Sequence, residues 1–304
     1  MDLFEEKNIS PMLLQEVKEP FDDEDYIHEL KLDGIRCIAY IEPKSVSLQN
    51  KRFKELSPLY PELSDMCKCV KKKVILDGEL VVLTDGKPDF YALQRRSLMT
   101  DRFRISLAAK KNSVQFAAYD ILYYDGKELT DKPLMERKAI LSQNVKEGNG
   151  MSISRYIEEK GIAFFELAKK ESLEGIVSKK KDGLYHIGKK THDWIKVKVM
   201  QDEDLLVLGY QPDEDGTVKD LILGYYDEKG TLKYRGKVYL GVSKEERKII
   251  SEFAKKNTVK KPWFDKYKNV VWLKPELVGT AHFMHETENG GMRQPVWKGL
   301  RDDK

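Results

Sequence analysis

The 304-residue chain has only three cysteines, Cys37, Cys67 and Cys69. So small and odd a number excludes a disulfide framework as the source of stability. Cys67 and Cys69 form C-x-C with no second Cys/His pair at zinc-ligand spacing, which argues against a structural zinc site. No run of about 18 apolar residues occurs, so no transmembrane helix is expected. The opening Met1-Asp2-Leu3-Phe4-Glu5-Glu6 is acidic and lacks the basic and apolar regions of a secretory signal, so a cytoplasmic protein is expected. Nor is one sign of charge in excess: 54 Lys+Arg face 51 Asp+Glu, a net +3. That balance argues weakly against a strongly basic nucleic-acid-binding protein, but it is silent on how the charges cluster.

Hydrophobic residues make up 40% of the chain and charged residues 35%, enough for a folded core. The length suits two domains. Runs rich in Val, Ile, Leu and Tyr predict strands over 26–32, 36–41, 46–49, 74–83, 114–123, 175–179 and 194–200. Helices are predicted over 57–68, 89–97, 133–145 and 161–171, the second opening on Asp89 and ending on Arg95-Arg96. Beyond Met200 short strands recur at 205–210, 221–226, 232–242, 270–273 and 282–284, with one helix over 244–256. Short strands separated by turn clusters, with one inserted helix, predict a small barrel of the OB type. The polar run Gln201-Asp202-Glu203-Asp204 marks the boundary, giving domains 1–200 and 201–304.

Side chains at i and i+2 on a strand share a face. Glu29 and Lys31 share one, with Asp33 next before Gly34; Asp77 and Glu79 share another, as do Lys196 and Lys198. Glu174 opens a short apolar strand, and Tyr119 shares its face with Ala117 and Ile121. Any one such pair also suits a sheet with one wet face. As a group, lysines 31, 196 and 198 with carboxylates 29, 79 and 174 suit a nucleoside-phosphate cleft. Ammonium groups there bind phosphate oxygens, and carboxylates hold a divalent metal or sugar hydroxyls.

Lys31-Leu32-Asp33-Gly34-Ile35-Arg36 resembles the K-x-D-G-x-R nucleophile motif of the covalent nucleotidyltransferases. Asp77-Gly78-Glu79 resembles their D-G-E motif, and Phe116-Ala117-Ala118-Tyr119-Asp120-Ile121-Leu122 their adenine-stacking motif. Glu174-Gly175-Ile176-Val177-Ser178-Lys179 is similar to E-G-I/V-V-x-K, and Trp194-Ile195-Lys196-Val197-Lys198 to W-x-K-x-K. The terminal Arg301-Asp302-Asp303-Lys304 is similar to R-x-D-K. A lone K-x-D-G is weak; six motifs in order are specific and span nearly the whole chain. Within the superfamily the chain resembles the ATP-dependent DNA ligases. Tyr123-Tyr124-Asp125-Gly126 and Pro295-Val296-Trp297-Lys298-Gly299-Leu300-Arg301 resemble the ligase module of bacterial end-joining ligases. The polymerase and nuclease modules that often accompany it are not in this sequence. One departure stands out: where the family has S-R-N-G, this chain has Gln49-Asn50-Lys51-Arg52-Phe53. Arg52 is assigned the arginine role, with Lys51 as the alternative; a lysine cannot make a bidentate guanidinium contact.

The resemblance implies an α+β fold: an adenylation domain of antiparallel sheets with flanking helices, then an all-β OB-fold barrel. It implies nick or break sealing through a lysine–AMP intermediate formed from ATP with Mg²⁺ or Mn²⁺. Lys31 is the implied nucleophile. Glu29 accepts from the adenine amino group, Tyr119 stacks on adenine, and Glu79 and Arg36 hold the ribose with Arg52 nearby. Glu174 binds metal, Lys196 and Lys198 contact the α-phosphate, and Asp33 orients Lys31 or serves the metal. Arg301 and Lys304 orient the pyrophosphate, with residues 201–204 as the hinge. The implied partners are nicked or broken duplex DNA and a Ku-type end-joining protein, with the ligase a monomer and no membrane involved. An RNA ligase or capping-type enzyme is the alternative, although capping enzymes more often have Thr after the lysine, where this chain has Leu32. Outside the motifs, Lys71-Lys72-Lys73 and Lys179-Lys180-Lys181 are expected to be solvated. His282 and His285 lack further ligands, and Lys189-Lys190 is the better candidate for DNA contact.

Overall fold

A computed structural model describes residues 2–287 and 289–301 of the chain, so Lys304 lies outside the described residues. Two compact units meet between Val199 and Met200. The first carries α1 (Leu3–Glu6), β1 (Leu13–Glu16), β2 (Asp23–Leu30), β3 (Ile35–Glu42), β4 (Ser45–Asn50), β5 (Val74–Thr84), β6 (Lys87–Pro88), α2 (Phe90–Ser97), α3 (Arg102–Lys111), β7 (Val114–Tyr124), β8 (Lys127–Glu128), α4 (Leu134–Asn144), β9 (Met151–Ile153), β10 (Tyr156–Glu159), α5 (Gly161–Lys170), β11 (Gly175–Lys180) and β12 (Lys190–Lys198). The second carries β13 (Gln201–Pro212), β14 (Val218–Tyr226), β15 (Leu232–Val238), α6 (Lys244–Asn257), β16 (Val271–Trp272), β17 (Val278–Phe283) and β18 (Val296–Leu300).

In the first unit a seven-stranded sheet runs β4-β3-β5-β7-β8, with β6 on β5 and β9 on β7. A five-stranded sheet runs β1-β12-β11-β2-β10, antiparallel except where β1 meets β12. Strands β3, β5 and β7 read as nearly continuous apolar runs because both faces of their sheet are covered. On one face Cys37, Ala39, Leu76 and Phe116 pack with Leu93 of α2 and Leu141 of α4. On the other, Ile38, Tyr40, Ile75 and Leu122 pack with Met12, Tyr185 and Trp194. The strands therefore bury a core between the two sheets as well as beneath the helices.

Helix ends follow local chemistry. Asp89 accepts from the Ala92 N–H and Asp101 from the Arg104 N–H, capping α2 and α3. Ser243 and Glu246 form a reciprocal capping box on α6. The helix predicted over 57–68 is instead two 3₁₀ segments, Ser57–Leu59 and Pro61–Cys69. Pro61 has no N–H to return to Ser57, so an α-helix cannot run through it.

The second unit is an OB-type barrel: its sheet runs β15-β14-β13-β17-β18, with β16 on β13. Leu240, just past β15, bridges Val296 and accepts from the Trp297 N–H, joining the two ends of the sheet. The segment expected to be the hinge opens β13, directly after the boundary between the units. Gln201–Asp204 lies within β13, paired residue by residue with Phe283–Thr280 of β17. Its acids are strand residues with partners: the Thr280 hydroxyl donates to Asp204 and the Arg235 guanidinium to Glu203. The α+β expectation holds, and among the described residues no helix is long and apolar enough to cross a membrane.

The first unit also holds a fully buried ion pair between Arg137 of α4 and Asp120 of β7, with two hydrogen bonds of 2.8 Å. Replacing one partner strands the other charge, which costs about 3–5 kcal/mol. Arg137→Met is expected to lose that much in urea unfolding, against less than about 1 kcal/mol for an exposed control such as Lys132→Met.

Candidate active site

Strand register gathers the motif residues at one end of the five-stranded sheet. Val177 of β11 stands between Glu29 of β2 and Lys196 of β12, and Gly175 stands beside Lys198. Lys31 follows β2, and its N–H donates to the Gly175 carbonyl at 2.9 Å. Both motif glycines are required by close approach. A Cβ at Gly34 would lie 2.2 Å from the Leu80 carbonyl oxygen. One at Gly175, whose φ is +140°, would lie 2.0 Å from that of Val197. The Lys31 ammonium pairs with Glu174 at 2.7 Å. Lys196 and Lys198 pair with Glu16 of β1 at 3.0 and 3.5 Å. Burial alone would raise the Glu16 carboxyl, but the Lys196 hydrogen bond and the Lys198 charge outweigh it and hold it low.

Between the two sheets is a cavity of about 60 Å³. The five-stranded sheet and its connections supply Glu29, Lys31, Val177, Lys179 and Trp194; the seven-stranded sheet supplies Arg36, Glu79 and Tyr119. Glu29 is buried and accepts from Lys138 of α4, from Lys179 at 3.0 Å and from Ser154 at 3.1 Å. Lys179 corrects an expectation: it is not solvated but 2% exposed, with its ammonium 4.4 Å from the Tyr119 ring centre and 4.1 Å from that of Trp194. Its flanking strand residues Ser178 and Lys180 point the other way, so a lysine run says little about any one member. Burial pushes Lys179 down to about 8, against the opposing pull of Glu29.

Arg36 is fixed by Asp77, which accepts at 3.0 and 2.6 Å, and by the Met12 carbonyl. Its guanidinium lies 5.6 Å from the ring centres of both Tyr119 and Trp194. Asp77, which by sequence alone suits a turn or strand end, is instead fully buried in mid-strand and also accepts from the Tyr185 hydroxyl at 2.7 Å. Glu79, deep in the cleft, is pushed up to about 8 by burial; Lys31 and Arg36 oppose the shift and the Glu174 charge adds to it.

Comparisons with known proteins cover both units. Residues 11–198 match the model of the ATP dependent DNA ligase domain, and residues 214–304 that of the ATP dependent DNA ligase C terminal region. The chain belongs to the ATP-dependent DNA ligases. It is 33% identical to the SPbeta prophage-derived DNA ligase-like protein LigB of Bacillus subtilis, over 96% of this chain and 99% of that protein. It is 28% identical to the multifunctional non-homologous end joining protein LigD of Mycolicibacterium smegmatis, over 98% of this chain but only 39% of that protein. Among solved structures it resembles a mycobacterial DNA ligase D complexed with ATP and MES, with a TM-score of 0.59 and 25% identity over 98% of this chain and 96% of that one. DNA-ligase models matching both units set aside the RNA-ligase and capping alternatives.

Not every expected site residue of this ligase joins the pocket. Asp33 is half-buried in the β2–β3 connection and Arg52 is exposed in the turn after β4; neither lines the cavity. In that turn Asn50 accepts from the N–H groups of Arg52 and Lys54, and Phe53 has φ +61°. Arg301, at the end of β18, sits beside Asp204 at 3.5 Å. His282 pairs with Asp202, and no group of three or more His, Cys, Asp or Glu gathers among the described residues. Sequence reasoning missed Lys138, Lys179, Trp194 and Glu16 as parts of the site. Trp194 and Lys179 stood inside quoted motifs; Glu16 and Lys138 carried no signal of their own.

A carboxyl that titrates near 8 when folded and near 4.5 when unfolded costs stability as pH rises between those values. Glu79→Gln removes that cost. The melting temperature of Glu79→Gln minus that of the parent is expected to grow from pH 5 to pH 8 and then level off. A pH-independent difference would refute the raised Glu79 carboxyl.

Proposed function

We propose that this ATP-dependent DNA ligase joins 3′-hydroxyl and 5′-phosphate ends through an AMP adduct on Lys31, acting as a monomer in the repair of nicks or breaks. The observation that carries the reading is the convergence of Lys31, Glu29, Glu79, Arg36 and Tyr119 on one cavity. Adenine stacks on Tyr119 with Val177 opposite, its amino group donating to Glu29. Glu79 holds the ribose, and Arg36, locked by Asp77, backs the Tyr119 ring rather than reaching far into the pocket. Lys196 and Lys198 leave Glu16 for the α-phosphate oxygens. An ion-paired ammonium has no lone pair, so Lys31 must lose its contact with Glu174 and one proton before it attacks. A nitrogen–phosphorus bond then forms and pyrophosphate leaves. The 5′-phosphate of the break next displaces the lysine to form a DNA–adenylate. The 3′-hydroxyl attacks that phosphate and AMP departs.

Glu174 fits a divalent cation, Mg²⁺ or Mn²⁺: it is a buried carboxylate beside Lys31, close enough to Glu79 to raise it. Asp33 is its second candidate ligand. A cation held by these carboxylates would offset charge developing on the phosphate. On the second unit, Arg301 and Lys304 are assigned to the pyrophosphate of the first step.

The turn after β4 favours Lys51 over Arg52 for the S-R-N-G arginine. Phe53 takes the left-handed conformation that the motif's glycine would occupy, and Asn50 accepts from the N–H two residues on, as the motif's serine can. That register puts Lys51 second. Lys51→Ala is expected to slow lysine adenylation about tenfold or more, the loss of one charge-assisted contact being about 1.5–3 kcal/mol, while Arg52→Ala changes it less than about twofold. The reverse ranking would restore Arg52.

The name of the LigD relative supports placing the chain in end joining, where a Ku-type protein is the expected partner; co-purification with stimulated end joining tests that. The central test is incubation with α-labelled ATP and Mg²⁺, then a chase with nicked duplex. A labelled adduct that Lys31→Ala removes, and that the nick discharges as sealed product, is the expected result. Label retained by the Lys31→Ala protein would sink the nucleophile.

A further inference from the structure

The two most exposed large apolar side chains of the described residues, Leu98 at 76% and Phe103 at 70%, lie in one short segment with a third, Leu107 at 52%. Leu98 ends the α2 region and the other two are on α3. At 100° per residue, Phe103, Leu107 and Lys110 share one side of α3, with Arg102 and Arg104 flanking it and Lys111 beside Leu107. The opposite side is small and does the packing: Ile105 is buried, and Ala108 and Ala109 are half-buried. The fold thus uses the small face of this helix and leaves its large apolar residues in water, where no folding gain accounts for them.

The charges of this face are concentrated on one short helix. Elsewhere on the unit several surface cations meet acids, as in Lys68–Asp65, Lys72–Asp125, Lys87–Glu171, Lys132–Glu136 and Arg155–Glu147, while others, such as Lys71, Lys189 and Lys190, form no ion pair among the described residues. Arg102, Arg104, Lys110 and Lys111 form no ion pair among the described residues. The one acid of the segment, Asp101, is turned to the helix N-terminus, where it accepts from the Arg104 N–H. In a chain with a net charge of only +3, four unpaired cations on one helix are a concentrated field.

We infer that the outer face of α3 is a docking surface for the duplex DNA substrate. The four cations meet phosphates on either side of a groove, and Phe103 and Leu107, with Leu98, pack on the sugar edges between them. Apolar wedges beside basic groups are how proteins grip the minor groove without reading sequence, and sealing any nick demands contacts of that kind. At ten residues, about 15 Å long, α3 spans a groove with phosphates at both ends. An anionic vesicle or a second copy of the chain are the competing occupants. The inference rests on the duplex being the substrate, and lysine–AMP formation, which needs no DNA, serves as the control for fold and chemistry.

The test compares two variants with the parent on a nicked duplex across a salt series. Arg102→Ala/Arg104→Ala/Lys110→Ala/Lys111→Ala should form lysine–AMP at the parental rate. Its slope of log affinity against log salt should be shallower by up to about 3.6, since each lost phosphate contact removes about 0.9. Phe103→Ser/Leu107→Ser should bind about tenfold or more weakly with an unchanged slope. As a measurement needing no variant, amide hydrogen exchange of the parent should slow over residues 98–111 when nicked duplex is added. Parental affinity and slope in both variants, or no protection of 98–111, would overturn the inference. So would loss of a dimer in Phe103→Ser/Leu107→Ser, or protection of 98–111 by anionic vesicles but not by DNA.

Discussion

The bidentate contact between Arg36 and Asp77 is the constraint on which the first unit's geometry depends. Arg36 comes from β3 and Asp77 from β5, neighbours in the seven-stranded sheet. The same two side chains reach the other sheet, Arg36 through the Met12 carbonyl and the Trp194 ring, Asp77 through the Tyr185 hydroxyl. Burying such a pair gives little net stability, because desolvation offsets most of the attraction. What it supplies is position. With the guanidinium fixed, Tyr119 and Trp194 are set edge to face at 6.1 Å, and the cavity wall is defined before any nucleotide arrives. A lysine in place of Arg36 could not hold two carboxylate oxygens and two ring faces at once.

A second constraint follows from how the site stores its charge. Lys31 is held by Glu174, Lys196 and Lys198 by Glu16, and Lys179 by Glu29. Each of these four lysines has a carboxylate partner. Nucleotide binding is then an exchange of one anion for another rather than the filling of a bare positive pocket. This resolves the near-neutral composition: acids are counterparts of the functional lysines, so net charge understates the capacity for phosphate.

Much of this was legible in the sequence, and for a definite reason. Strand alternation puts Glu29 with Lys31, Asp77 with Glu79 and Lys196 with Lys198 whatever the tertiary fold, and the motif glycines mark backbone contacts that admit no Cβ. Illegible were features that depend on long-range partners. Lys138 meets Glu29 across 109 positions of chain, and Glu16 meets Lys196 through a parallel pairing of β1 that no local pattern announces. The acids of Gln201–Asp204 resembled a linker because a strand with one wet face and acidic side chains has the composition of a loop. Helix α3 was missed because its large apolar residues face outward, so the stripe that normally betrays a helix lies on the wrong side.

That last failure is informative. A sequence pattern predicts burial correctly when folding alone selects the residues, and local rules break where another demand intervenes. Lys179 breaks them inward: an ammonium buried against two aromatic rings and a carboxylate, at a cost in desolvation that only a binding site has reason to bear. The α3 face breaks them outward, with phenylalanine and leucine left in water among unpaired cations. The inward exception lies on the cavity proposed for the nucleotide, and the outward one has the chemistry of a polyanion surface. A ligase must hold both at once, a buried mononucleotide and an open duplex, and these two departures from ordinary burial match those two demands.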